Sequence, residues 1–144
     1  MTNKKALIAI VDDDESVCRA MERFVRSLGL AADTYVSSEH FLEQLESTPA
    51  CRPDCVILDV QMAGLDGVEA QRRLRRSHPR MPVIFITAHD DRAARDLAVD
   101  GGAVAVLRKP CNDALIIRSL QTALGLRPAA DLLDQSPIVP RPAD

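Results

Sequence analysis

The stretch IAIVDDDESV, Ile8–Val17, runs four apolar residues straight into Asp12, Asp13 and Asp14. A parallel strand covered on both faces reads as a near-continuous apolar run, so ALIAIV (6–11) is expected to be a buried strand. The crowded acids at its end need a reason. Like charges roughly 4 Å apart near a protein surface repel by about 4 kcal/mol at an effective dielectric near 20. Either the carboxylates point in different directions or a cation offsets them.

Working outward, short apolar runs alternate with amphipathic stretches. Apolar residues at 17, 21, 24, 25 and 28 have helical spacing, and Gly29 stops that helix. AADTYV (31–36) reads as a second strand, Ser37 and Ser38 as caps for a helix over Glu39–Glu46, and CVILDV (55–60) as a third strand. Asp66 can cap a helix from Gly67 to about Arg76, PVIFITA (82–88) is a fourth strand, and Asp90 or Asp91 starts a helix ending at Gly101–Gly102. AVAVL (103–107) is a fifth strand, and Asn112 caps a last helix to about Leu124. One domain over 5–125 is expected, followed by a proline-rich, extended tail over 126–144. Strands and helices in alternation imply an α/β fold with a parallel sheet, right-handed crossovers and helices on both faces. Of the two common strand orders, the flavodoxin-like doubly wound order 2-1-3-4-5 puts strand 1 beside strand 3 and places ligands outside the carboxyl ends of those strands. Asp12 and Asp13 end strand 1 and Asp59 ends strand 3. Three carboxylates are therefore expected to converge on one crevice.

Bulk properties narrow the function classes. The chain has 144 residues, 47% hydrophobic and 27% charged, with a net charge of −3. That balance gives no general electrostatic case for nucleic acid or an anionic membrane surface. No apolar run approaches the roughly 20 residues of a membrane span. Lysines before the first apolar run resemble a secretion signal, but the run stops at Asp12 with no small-residue cleavage site, so it reads as a first strand. Cys18, Cys51, Cys55 and Cys111 match no metal or redox spacing and read as small apolar residues or loop thiols in a reducing compartment, so a cytoplasmic protein is expected. His40 and His78 read as surface residues, and Arg72, Arg73, Arg75, Arg76 and Arg80 as a solvated helix face without interleaved aromatics.

Converging carboxylates are hard oxygen donors suited to Mg²⁺, bound with waters and a phosphate. Asp14 can instead face solvent and favour the N-terminus of the next helix. Thr87 at the end of strand 4 and Lys109 at the end of strand 5 should point into the same crevice. A hydroxyl, an ammonium and a metal around one carboxylate can polarise a phosphoryl group, which makes Asp59 a candidate nucleophile forming an aspartyl phosphate. The Lys109–Pro110 bond is a candidate cis peptide that would fix the lysine's direction.

Through VDDD (11–14), LDVQM (58–62) with Gly64, Asp66 and Gly67 behind it, ITA (86–88) and KP (109–110), the chain resembles the receiver domain of two-component response regulators over about residues 5–125. Each motif alone is weak, but their order, each at a strand end, is specific. The resemblance implies that Asp59 is the phosphoacceptor, taking a phosphoryl group from a sensor histidine kinase or histidine phosphotransfer protein. It implies that Asp13, Asp59 and the Gln61 backbone carbonyl hold Mg²⁺, with Asp12 supporting through water. Lys109 would pair with Asp59 or its phosphate, and Thr87 would swing toward the phosphoryl oxygen. Gln61 and His89 would flank the phosphoryl group and tune its lifetime.

Departures from the family pattern concern the switch. An aromatic on strand 5 often moves with the threonine; here that position is Val106. Ala63 stands where proline is common, and Cys111 where an aromatic often follows lysine–proline. The helix after Asp91 has few large apolar residues, mainly Leu97 and Val99, and is expected to be lightly anchored. A phosphoryl group adds about −1.5 to −2 charges, enough to pull Thr87 and shift the neighbouring loop.

The leading reading is a stand-alone signalling switch, not an enzyme, limited to self-catalysed phosphoryl transfer and slow autodephosphorylation. It would act on a downstream protein target and not on nucleic acid or membrane. A homodimer through the fourth helix, fifth strand and fifth helix is a possible output. Two alternatives remain open. An aspartate-nucleophile phosphohydrolase of the haloacid-dehalogenase kind needs a second acid two residues after the nucleophile, where Gln61 stands. A binding-only pseudo-receiver would not need the complete acidic set.

Overall fold

A computed structural model describes residues 5–48, 52–60, 66–88 and 92–125. Ten elements alternate along them: β1 (Leu7–Val11), α1 (Glu15–Ser27), β2 (Ala31–Tyr35), α2 (Ser38–Ser47), β3 (Cys55–Asp59), α3 (Gly67–Ser77), β4 (Val83–Thr87), α4 (Arg92–Asp100), β5 (Ala105–Arg108) and α5 (Asp113–Ala123). The strands form one parallel sheet in the order β2-β1-β3-β4-β5. The expected flavodoxin-like architecture is the one that forms.

Successive strand side chains point to opposite faces, and each face here has its own core. Ile8, Ile10, Ile57, Ile84 and Ile86 meet Cys18 and Val25 of α1 and Ile116 and Leu120 of α5. On the other face Ala9, Val11, Val56, Leu58, Val83 and Phe85 meet Phe41 and Leu45 of α2, Ala70 and Leu74 of α3, and Ala98 of α4. Every residue of β3 and β4 is buried, which explains their unbroken apolar runs. Edge strand β2 instead exposes Asp33 and Thr34.

Helix starts follow their capping side chains. Asp14 accepts from the Ser16 and Val17 amides, Ser37 from His40, Asp66 from Glu69, and Asn112 from Ala114. Of the two serines before α2, Ser37 is the cap; Ser38 is buried inside the first turn. Each such cap contributes about 1 kcal/mol.

Two expectations need correction. Strand β5 begins at Ala105, not Ala103, and ends at Arg108, so Lys109 lies one residue beyond it. The reason is the turn that closes α4. Gly102 sits at φ +94, the Gly102 amide donates to the Val99 carbonyl (2.9 Å), and the Ala103 amide donates to the Ala98 carbonyl (3.2 Å). Those paired bonds from the two residues after a helix form a Schellman motif, and they occupy Ala103 before the sheet can. The second correction concerns α4. Leu97 and Val99, the apolar residues named for its anchoring, are 52% and 55% exposed, whereas Ala98 is fully buried.

No helix among the described residues is long and apolar enough to cross a membrane. Cys51, Gln61, Met62, Ala63, Gly64, His89, Asp90, Asp91 and the 126–144 tail lie outside the described residues.

Candidate functional site

Strands β1 and β3 are neighbours and diverge into crossovers on opposite faces, which opens a crevice at their carboxyl ends. The three consecutive aspartates there have three separate fates. Asp12 turns inward and is 4% exposed; its Oδ1 accepts the Asp14 amide at 2.9 Å and its Oδ2 accepts from Lys109 Nζ at 2.9 Å. Asp13 is exposed. Asp14 turns outward to cap α1, and bonds from the Ser16 hydroxyl and amide and the Val17 amide hold its carboxyl below the usual carboxylate range.

Asp59, 6% exposed, ends β3 across the crevice. Carboxylate oxygens of Asp12, Asp13 and Asp59 lie within 4.8 Å of one another. Burying an ionised carboxylate is costly unless it is paired. Part of the pairing comes from Lys109, whose Nζ is 2.9 Å from Asp12 and 3.6 Å from Asp59. The lysine expected to pair with Asp59 thus binds Asp12 more closely and bridges both. Burial by itself would lower the Lys109 pKa, but the hydrogen bond it donates to Asp12 and the fields of Asp59 and Asp12 outweigh it and push the ammonium up.

Backbone register brings the remaining groups to the same end. Asp59 pairs with Ile86 in the β3–β4 ladder, so Thr87 stands one rung further along and is buried. The Lys109 amide donates to the Thr87 carbonyl at 2.7 Å, tying the lysine's backbone to the threonine's. The Lys109–Pro110 peptide is cis, as anticipated. Val106, at the proposed strand-5 switch position, is half-buried against the core shared with α3 and α4. Gly67 opens α3 directly against the acceptor strand. Its amide donates to the Val60 carbonyl at 2.9 Å, and a Cβ there would overlap the Asp59 carbonyl oxygen and lie 2.9 Å from Val60 Cα. Only glycine lets α3 start this close to Asp59.

Among the described residues no cysteine joins the cluster of Asp12, Asp13 and Asp59, although Cys18 Sγ donates to the Asp12 carbonyl at 3.2 Å. Cys18 and Cys55 are buried free thiols, pushed up to about 11 and about 12, chiefly by burial; half-buried Cys111 is also raised by burial. Among the arginines, Arg72 and Arg73 pair with Glu69 at 3.1 and 3.6 Å, as a solvated face would. Arg75 departs from that reading by reaching the Gly101 carbonyl. Gln71, which sequence reasoning passed over, is buried and donates to the Ala98 carbonyl at 3.2 Å. Its only sequence signal is its place between Ala70 and Leu74 on the inward side of α3.

The acidic crevice with one lysine and one threonine suits a divalent cation and a phosphoryl group. Residues 8–121 match the family model described as response regulator receiver domain. The chain is 34% identical over 128 residues to the response regulator protein TodT of Pseudomonas putida, covering 89% of this chain and 55% of that protein. It spans about half the length of the curated relatives it matches. A solved response regulator receiver protein from Burkholderia phymatum is similar at 55% identity and a TM-score of 0.77, covering 85% of this chain and 98% of that one. A receiver domain protein from Clostridium thermocellum superimposes with a TM-score of 0.78 at 28% identity, covering 83% of this chain and 94% of that one.

Proposed function

We propose, for a chain that belongs to the response regulator receiver domain family, that it is a phosphorylation-activated switch whose acceptor is Asp59 and whose donor is a phosphohistidine on a sensor kinase or phosphotransfer protein. The observation that carries this reading is the convergence of Asp12, Asp13 and Asp59 oxygens within 4.8 Å, with Lys109 Nζ 3.6 Å from Asp59. An Asp59 oxygen attacks phosphorus, an O–P bond forms, the N–P bond of the phosphohistidine breaks, and the imidazole nitrogen leaves with the bonding electrons. Lys109 compensates the negative charge gathering on the transferring oxygens. Thr87, buried one rung beyond Asp59, is positioned to follow the new phosphoryl group with its hydroxyl. Its movement reaches Lys109 through their shared backbone bond. Val106 then packs into or out of the space the threonine leaves.

The donor set fits Mg²⁺, because it offers only hard oxygens and carries more negative charge than one lysine neutralises. Asp13 and Asp59 would hold the ion with the Gln61 backbone carbonyl, and Asp12 would support it through water. When bound, the ion supplies charge neutralisation between acceptor and incoming phosphate. Gln61 and His89 would tune the lifetime of the phosphoryl group. The chain would not turn over exogenous phosphoesters: its catalysis is confined to its own phosphorylation and slow dephosphorylation. A cytoplasmic protein that contacts a kinase and a downstream protein, with homodimerisation as a possible output, follows from this reading. Incubation with acetyl phosphate and Mg²⁺, followed by intact mass measurement, tests it. One phosphoryl group per chain, absent from Asp59→Ala and from chelated protein, is the expected result; steady release of phosphate from a generic phosphoester would instead favour a phosphohydrolase.

A further inference from the structure

Helix α3 touches both the acceptor strand and α4 along a single stripe. Residues four apart on a helix stack on one face, and Gly67, Gln71 and Arg75 have that spacing. Gly67 rests on the Asp59 carbonyl. One turn later, Gln71 Nε2 donates to the Ala98 carbonyl at 3.2 Å across a buried gap. One turn further, Arg75 Nη1 donates to the Gly101 carbonyl. Both acceptors lie at the C-terminal end of α4, and the Ala98 carbonyl also accepts the Ala103 amide of the closing turn at 3.2 Å. The fit is close: a Cβ on Gly101 would collide with the Gln71 amide, 2.7 Å from its Cδ, and one on Gly102 would lie 3.0 Å from Arg75 Nη1. Glycines at 101 and 102 therefore admit the two side chains as well as the turn.

Apolar packing of α4 is slight by comparison. Ala98 is its one buried side chain among the described residues, and Leu97 and Val99 face solvent. A helix whose apolar anchoring is two alanines, the buried Ala98 and the partly buried Ala94, exposes little apolar surface when its hydrogen bonds to α3 break. We propose that Gln71 and Arg75 are positioning residues forming a two-point latch on the C-terminal end of α4, and that the strength of this latch sets how readily α4 yields when Asp59 is esterified. The second clause rests on the switch reading above; the first does not. Through the Gly67 contact, the element that carries the latch is also the one seated on the acceptor's backbone. The bistable element required for coupling is then α4, and α3 is the rigid part against which it moves.

Hydrogen exchange on the full, unphosphorylated chain tests the latch, using Arg75→Met, Gln71→Met and Arg75→Lys. Methionine approximates glutamine in length and keeps the aliphatic stem of arginine without donating a hydrogen bond, and Arg75 is exposed, so its variants fold. Loss of one net hydrogen bond should speed exchange of α4 amides by roughly fivefold to tenfold, with α1 and β1 unchanged, and Arg75→Lys should restore most of the protection. Unchanged α4 exchange, or an equal rise throughout the protein, overturns the latch. Acetyl phosphate with Mg²⁺ then tests the coupling: Asp59 should be phosphorylated several-fold faster in both methionine variants. Faster α4 exchange with an unaltered phosphorylation rate overturns the coupling. Failure of the unmodified protein to take up phosphoryl would count against the switch reading, while the exchange result still decides the latch.

Discussion

Replacing Asp59 with asparagine should stabilise the metal-free protein and destabilise it relative to the original once Mg²⁺ is present. Asp59 faces Asp12 and Asp13 oxygens at no more than 4.8 Å, so at an effective dielectric near 20 each repulsion is about 3.5 kcal/mol or more. The attraction it would give up is that of Lys109 at 3.6 Å, about 4.5 kcal/mol on the same scale. Asp13 is exposed, which screens its share. The balance leaves about 1–2 kcal/mol of net repulsion relieved by an isosteric neutral amide, and relief from burying a charge acts in the same direction. A saturating cation held by the acids reverses the ordering, because binding to the folded state alone stabilises it by about 2.7 kcal/mol at a hundred times the dissociation constant, a gain Asp59→Asn forfeits. Urea unfolding of both proteins in chelator and in millimolar Mg²⁺ measures each arm. An Asn variant less stable than the original in chelator, or equal Mg²⁺ stabilisation of both, would refute the reasoning.

Lys109→Gln should act in the opposite sense in chelator, because it strips the partner from buried Asp12 and Asp59. Its side chain is 23% exposed, so a loss of about 1–3 kcal/mol, below the range for a fully buried pair, should appear in the urea midpoint. Gly67→Ala should cost about 1–2 kcal/mol despite alanine's better helix propensity, since the added methyl meets backbone and not a movable side chain. Phosphorylation by acetyl phosphate should slow in parallel, as the Asp59 carbonyl is displaced; a variant as stable and as fast as the original would disprove the contact. The buried thiols give a pH signature. Cys55 is raised from 9.0 to about 12, so its contribution is complete below 9.0 and fades as pH rises, because the unfolded thiol ionises first. Stability should fall above that pH by about 1.4 kcal/mol per pH unit per thiol, and the decline should be measurably shallower in Cys55→Ala.

The sheet and the acidic crevice were legible because both depend on local pattern. Runs such as VIFIT and CVILD can be satisfied only in a strand covered on both faces, and the doubly wound order then carries their terminal residues to one edge. Asp14, Ser37, Asp66 and Asn112 act on their own next turn, so their capping follows from neighbouring residues. What sequence did not disclose depends on contacts between distant segments. Gln71 is buried because α4 offers it a carbonyl and a side-chain-free glycine 27 and 30 positions later. Leu97 and Val99 face water because the residue between them, Ala98, takes the inward position. The late start of β5 follows from hydrogen bonds consumed by the preceding turn. The closer approach of Lys109 to Asp12 than to Asp59 is a difference of tenths of an ångström between two carboxylates, set by the relative placement of three strands.

The most direct test is chemical location of the bond. Borohydride reduces an acyl phosphate to an alcohol, so protein treated with acetyl phosphate and Mg²⁺ and then reduced should yield homoserine at position 59 in a peptide map. Homoserine at Asp12 or Asp13, or a stable phosphoryl group elsewhere with residue 59 unchanged, would contradict the assignment of Asp59 as acceptor.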